Sequence, residues 1–189
     1  MPRKPDLQLE SRILHAAYRL WVEQGEHGMT MRSVAKLART TTPTLYERFK
    51  DKNALMQALR ERAKHKLFDA IEPAQSIGEI CRRALEFTST HGHEYELVSQ
   101  AWPEQLSRGE PTPSFDLVKG RLAEQLGGTP DTHLGLALAI VMLCHGASTF
   151  LLQQSLNQQL SELLKQSCIA ATDALVAHAQ RASGRRAAD

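Results

Sequence analysis

The chain has 189 residues, 42% of them apolar and 23% charged, with a net charge of +2. That is the make-up of a soluble globular protein of one or two small domains, and three widely spaced cysteines without a CxxC exclude a disulfide frame or a patterned zinc site. The charge is uneven: residues 1–72 hold 14 Lys and Arg against 9 Asp and Glu, and residues 73–189 hold 9 against 12, so a basic front is turned toward a polyanion.

Cys81, Cys144 and Cys168 read as buried thiols of a reducing cytoplasm, with a redox-sensing pair as the alternative. The opening MPRKPDLQ has charges with no apolar run behind them, so no signal peptide is expected. The periodicity then predicts helices from end to end. Ile13, Ala16, Ala17, Leu20 and Trp21 line one face of a first helix over 9–23, which Gly25 closes. Thr30 caps a second helix that buries Met31, Val34, Ala35 and Ala38. After a short connection a third helix begins near Thr42 and carries Leu45 and Phe49 inward. A fourth, over 53–71, has the stripe Leu55, Met56, Leu59, Ala63, Leu67 and Ile71.

Pro73 separates this front from a rear of different character. Helices are expected over 76–91, over 93–106 with a kink or break near Pro103, and over 115–126 up to Gly127-Gly128. Two long helices close the chain, over 131–156 and 160–182, and the tail SGRRAAD is expected to fray. The stretch LGLALAIVMLCHGASTFLL, residues 134–152, is long enough to span a bilayer. His145, Ser148 and Thr149 within it, and no basic flank, favour a helix buried on nearly all sides of a core and no membrane.

The segment with chemistry is ARTTTPTLYERFKDK, residues 38–52. Four threonines and a proline stand at the start of the third helix. A helix, a four-residue connection and a second helix make a helix-turn-helix, whose second helix sets its first residues in the major groove of DNA. Thr41, Thr42 and Thr44 offer methyls for thymine and hydroxyls for base edges or phosphate on a stiff χ1. Tyr46, Lys50 and Lys52 suit the phosphates on either side. A surface helical hairpin with solvated charges fits the same spacing.

The strings ILHAAYRLWVEQG, MTMRSVAKLA and TPTLYERFKDKNAL resemble the TetR family of bacterial transcriptional regulators over about residues 9–60. The resemblance implies an all-α fold: an N-terminal three-helix helix-turn-helix domain (residues 1–52), a connecting helix (53–72), and a C-terminal helical ligand-binding and dimerisation domain (73–189). It implies double-stranded DNA as partner, through Thr30, Arg39, Thr41, Thr42, Pro43, Thr44, Tyr46, Lys50 and Lys52. Two positions depart from the family pattern. Arg39 stands at the turn glycine, where a positive φ is expected. Pro43 stands at a recognition-helix glycine, which makes Thr42 the expected N-cap unless Pro43 takes the second helical position.

The resemblance also implies a homodimer built on the last two helices, here through the seam Leu160, Leu163, Leu164, Cys168, Ala171 and Leu175. It implies a pocket for a small, largely apolar effector, for which Phe87, His91, Trp102, Phe115, Met142 and His145 are the candidates. No cofactor and no metal are expected: His91 and His93 with Glu94 and Glu96 lack a third strong ligand at a defined spacing. The function expected is a cytoplasmic repressor released from a palindromic operator by its effector. A nucleoid- or division-associated structural DNA-binding protein of the same fold is the alternative. No Ser-His-Asp set, phosphate loop or metal spacing speaks for an enzyme.

Overall fold

The computed structural model describes residues 7–110, 112–153 and 156–186. Among them the chain is helical with no strand, and it divides between Ala63 and Lys64 into two compact units. The first unit holds α1 (Leu7–Gly28), α2 (Met31–Leu37), α3 (Thr42–Arg48) and the first part of α4 (Lys52–Ile71). Ile13, Ala17, Val34, Leu45 and Leu55 are fully or almost fully buried there. They are the positions that recur every three or four residues, so the apolar stripes become the core. α1 is interrupted at Gly25, φ 68° and ψ −172°, a conformation that suits glycine, and a last short stretch runs on to Gly28.

The second unit holds the rest of α4 with α5 (Ile77–Thr90), α6 (Gly92–Ser107), α7 (Pro113–Leu126), α8 (Leu134–Leu151) and α9 (Gln158–Arg186). α5 is central and packs on α6, α7, α8 and α9. Ser76 starts it, its Oγ accepting from the Glu79 amide at 3.2 Å. Ile77, Ile80, Phe87, Phe115, Leu122, Ala137 and Ile140 form the main core.

Four expectations change. α6 runs through Pro103 as one helix rather than dividing there. α8 begins only at Leu134, because Pro130–His133 is a tight 3₁₀ turn, and it ends at Leu151 rather than five residues later. α9 continues through Ser183 to Arg186, where fraying was expected; residues 187–189 of that tail lie outside the described residues. The fourth change is the largest. Pro130–Leu151 is long and apolar enough to cross a membrane by length and composition, with mean hydropathy 1.9, yet only 17% of that window is buried. α8 is therefore not enclosed on nearly all sides. It gives Ala137, Ile140 and Ser148 to the core and leaves Leu134, Gly135, Ala139, Met142, Thr149 and Phe150 exposed.

Candidate functional site

The helix-turn-helix is held by caps that can be followed atom by atom. The Thr30 hydroxyl accepts from the Ser33 amide at 3.1 Å, and the Ser33 hydroxyl accepts from the Thr30 amide at 2.9 Å, a reciprocal capping box that starts α2. α2 ends in a Schellman turn: the Thr40 amide donates to the Ala35 carbonyl at 3.0 Å and the Arg39 amide to the Lys36 carbonyl at 3.3 Å. Arg39 occupies the left-handed position of that turn at φ 55°, as expected, and it is the one non-glycine residue with positive φ among those described. The turn's hydrogen bonds hold it against a steric cost of roughly 1–2 kcal/mol.

α3 takes the second of the two starts the sequence allowed, with Pro43 at the second helical position. Thr41, not Thr42, is the N-cap, at φ −95° and ψ 153°. Its Oγ1 accepts from the Thr44 amide at 3.3 Å and lies 2.8 Å from the Thr44 hydroxyl. Thr42 is then the first helical residue and Pro43 the second, which costs no bond because amides of a first turn lack intrahelical acceptors. Leu45 is fully buried and Phe49 nearly so, which fixes α3 to the first unit. Pro43 and Lys50 are exposed, Tyr46 is half exposed, and Thr42 and Thr44 are half-buried. Lys52, expected on a DNA backbone, has a partner within the first unit. Its Nζ donates to the Glu26 carbonyl at 2.6 Å, where the unpaired carbonyls that end α1 attract a cation. Arg32 and Arg48 are exposed on α2 and α3.

The second unit holds a partly open cavity of about 110 Å³. Its walls are mostly aliphatic: Leu67, Ile71, Ile80, Val98, Val118, Ile140 and Val141. Trp102 and Phe115 meet edge to face across it, centroids 6.4 Å apart. His145 is the polar feature, with Nδ1 3.0 Å from the Tyr95 hydroxyl and its ring 6.3 Å from that of Trp102. Burial pushes the Tyr95 phenol up to about 12, so it stays protonated. Ser148 accepts from the Thr88 hydroxyl at 3.0 Å.

Three of the six expected pocket residues, Trp102, Phe115 and His145, thus line one cavity. The other three do not. Phe87 is buried in the core and stacked on His91, ring centroids 4.9 Å apart, with His91 closing α5 and its Nδ1 2.8 Å from the Thr90 hydroxyl. Met142 is 64% exposed on α8 and does not line the cavity. Tyr95, Val98 and Ser99 were missed, although Tyr95-Val98-Ser99-Trp102 is a helical face by spacing.

The expected seam of α9 also divides. Leu160, Leu163, Ala171 and Leu175 are exposed and Leu164 is half-buried, but Cys168 is only 4% exposed and packs inside its own subunit with Cys81 and Cys144. It turns inward together with Thr172 and Val176, at i, i+4 and i+8. Six of the nine large apolar side chains exposed among the described residues lie on α8 and α9. Hydrogen bonds from Cys144 and then Cys81 hold the Cys168 thiol well below the usual thiol range.

Residues 13–59 match the family described as bacterial regulatory proteins, tetR family. No curated protein matches the sequence. Among solved structures, the chain is similar to a TetR-like transcriptional regulator from Rhodococcus sp. RHA1, at TM-score 0.61 and 21% identity, over 92% of this chain and 96% of that one. It is similar to the TetR-family regulator SCO0857 from Streptomyces coelicolor A3, at TM-score 0.56 and 18% identity, over 94% and 99%. It is also similar to the multidrug binding protein EbrR complexed with proflavin, at TM-score 0.57 and 20% identity, over 88% and 99%. These likenesses show a shared fold. Residues 13–59, the helix-turn-helix, are thus a tetR-family domain, and the chain as a whole shares the fold of TetR-like regulators.

Proposed function

We propose that the protein is a cytoplasmic repressor: a dimer that holds a palindromic operator and releases it when a small, largely apolar molecule enters the cavity of the second unit. The observation that carries the reading is the cavity itself, apolar walls and two aromatic rings around one imidazole–phenol pair. A site of that make-up selects a guest with a flat hydrophobic body and one polar group for His145. Its volume of about 110 Å³ is below that of drug-sized sites, so a guest larger than a single ring opens the walls. EbrR, of the same fold, was solved with proflavin, a precedent for a flat ring in this architecture.

The exposed apolar faces of α8 and α9 supply the dimer contact in this reading. Leu160 and Leu163 on α9, with Met142 and Phe150 on α8, are buried against a second copy. Small residues on the same side of α8, Gly135 and Ala139, let the helices approach. Release follows from linkage: a guest that binds better to the state with low operator affinity shifts the population toward it.

Footprinting on the promoter region upstream of the protein's own coding sequence, followed by titration of planar aromatic compounds, tests this. A protected palindrome that is lost on addition of a guest supports it. Selective protection that no guest reverses would sink the effector, and dispersed binding without selectivity would favour the structural DNA-binding alternative.

A further inference from the structure

Three cysteines on three helices meet in the second unit. Cys81 of α5, Cys144 of α8 and Cys168 of α9 bring their Sγ atoms to 2.9 Å for Cys81–Cys144, 3.5 Å for Cys81–Cys168 and 3.9 Å for Cys144–Cys168. One buried cysteine is an ordinary small core residue, and packing among Leu85, Leu143 and Ile169 would be served as well by alanine or valine. Packing does not ask for three sulfurs turned to one point. All three are free thiols, and the group contains no His, Asp or Glu, so the donor set is uniformly soft.

We propose that this cluster is a binding site for one thiophilic ion held by three thiolates. The circle through the three sulfurs has a radius of about 2.0 Å, slightly shorter than a thiolate–metal bond of about 2.3 Å. The ion therefore sits just off the sulfur plane, capping a shallow pyramid, with little movement of the helices. For a metal ion, three sulfur–ion bonds form as the S–H protons leave to water; for arsenite, three As–S bonds replace three As–O bonds and the hydroxyl groups depart with those protons as water; no atom changes oxidation state. Thiolates select soft ions over magnesium and calcium. A structural zinc site would want a fourth ligand; Thr172, with its Oγ1 3.7 Å from the Cys81 Sγ, supplies a hydroxyl and not a thiolate or imidazole. Cys81 and Cys144 also line the cavity, which gives the ion a way in. The site is independent of the operator reading, since it is defined by sulfur positions alone.

The test is an oxygen-free titration of the reduced full-length protein with Cd(II), with Cu(I) delivered from a weak competitor, and with arsenite. Expected are one ion per subunit, loss of all three thiols to a thiol reagent, and for Cd(II) an ultraviolet sulfur-to-metal charge-transfer band of three-thiolate intensity. Cys81→Ser, Cys144→Ser and Cys168→Ser should each weaken binding by at least about 100-fold, the upper end of what losing even an outer-sphere partner costs. Circular dichroism checks that each variant folds, and the wild-type stoichiometry decides on its own where one does not. No ion bound by the wild type at micromolar concentrations overturns the proposal. So does binding that survives the loss of any one cysteine, or a Cys81–Cys144 disulfide formed with peroxide in a protein that takes up none of the three ions.

Discussion

At the scale of single residues, Arg39 and Thr41 separate stability from recognition. Arg39 sits in a conformation that glycine adopts freely. Arg39→Gly should raise stability by about 1 kcal/mol in urea unfolding, the left-handed penalty removed less the extra freedom of the unfolded chain. If the guanidinium reaches a phosphate, the same variant binds all DNA sequences more weakly. Thr41→Ala removes the cap of α3 and should cost about 1 kcal/mol. Thr42→Ala, which touches no cap bond, should leave the unfolding midpoint in place and change operator preference. Equal losses of Thr42→Ala on operator and random DNA would show that it holds only phosphate. The sequence displayed the four threonines and both departures from the family, but not which threonine is the cap. That depends on whether Pro43 sits first or second in the helix, and both places leave no amide unpaired, so local chemistry does not choose between them.

At the scale of elements, the helices were legible because their apolar stripes recur with the helical period, and Ser76, Thr30 and Gly25 punctuate them as their chemistry requires. What faces what was less legible. The seam Leu160 to Leu175 covers an arc of about 140° on α9, and its edge at Cys168 adjoins the inward face of Thr172 and Val176, so it mixed the exposed Leu163 with the buried Cys168. Periodicity marks an apolar face; it does not say whether the partner is the same chain. For that reason too α8 reads as a buried helix while much of its surface is open. The cysteine cluster had no signal at all, since its members stand 63 and 24 residues apart. Two variants follow at this scale. Met142→Glu with Leu163→Glu places charges where a second copy is proposed to pack, at residues 64% and 56% exposed in the subunit. Sedimentation should then show a monomer with unchanged helicity. Ala84 of α5 also lines the cavity, so Ala84→Leu fills it and should stabilise by up to about 2 kcal/mol, at about 0.8 kcal/mol per buried methylene. It should also leave a footprint that no aromatic guest removes.

At the scale of the whole molecule, α4 is the element shared by the two units: Leu55, Met56 and Leu59 are buried in the first, while Leu67 and Ile71 line the cavity of the second. The basic balance of residues 1–72 predicts operator affinity that falls linearly, on logarithmic axes, as salt rises. Binding of an uncharged guest to the cavity should be flat over the same range, and fluorescence titration of Trp102 against salt measures it. The open face of α8 and α9 has a further consequence. A subunit that folds with Met142, Phe150 and Leu163 in water has part of its cohesive free energy outside itself. If the proposed dimer forms through this face, folding and association become one equilibrium, and the midpoint of melting should climb with protein concentration. Operator occupancy would rise more steeply than the number of chains made, so a modest change in synthesis or proteolysis could move the promoter between held and open without any effector.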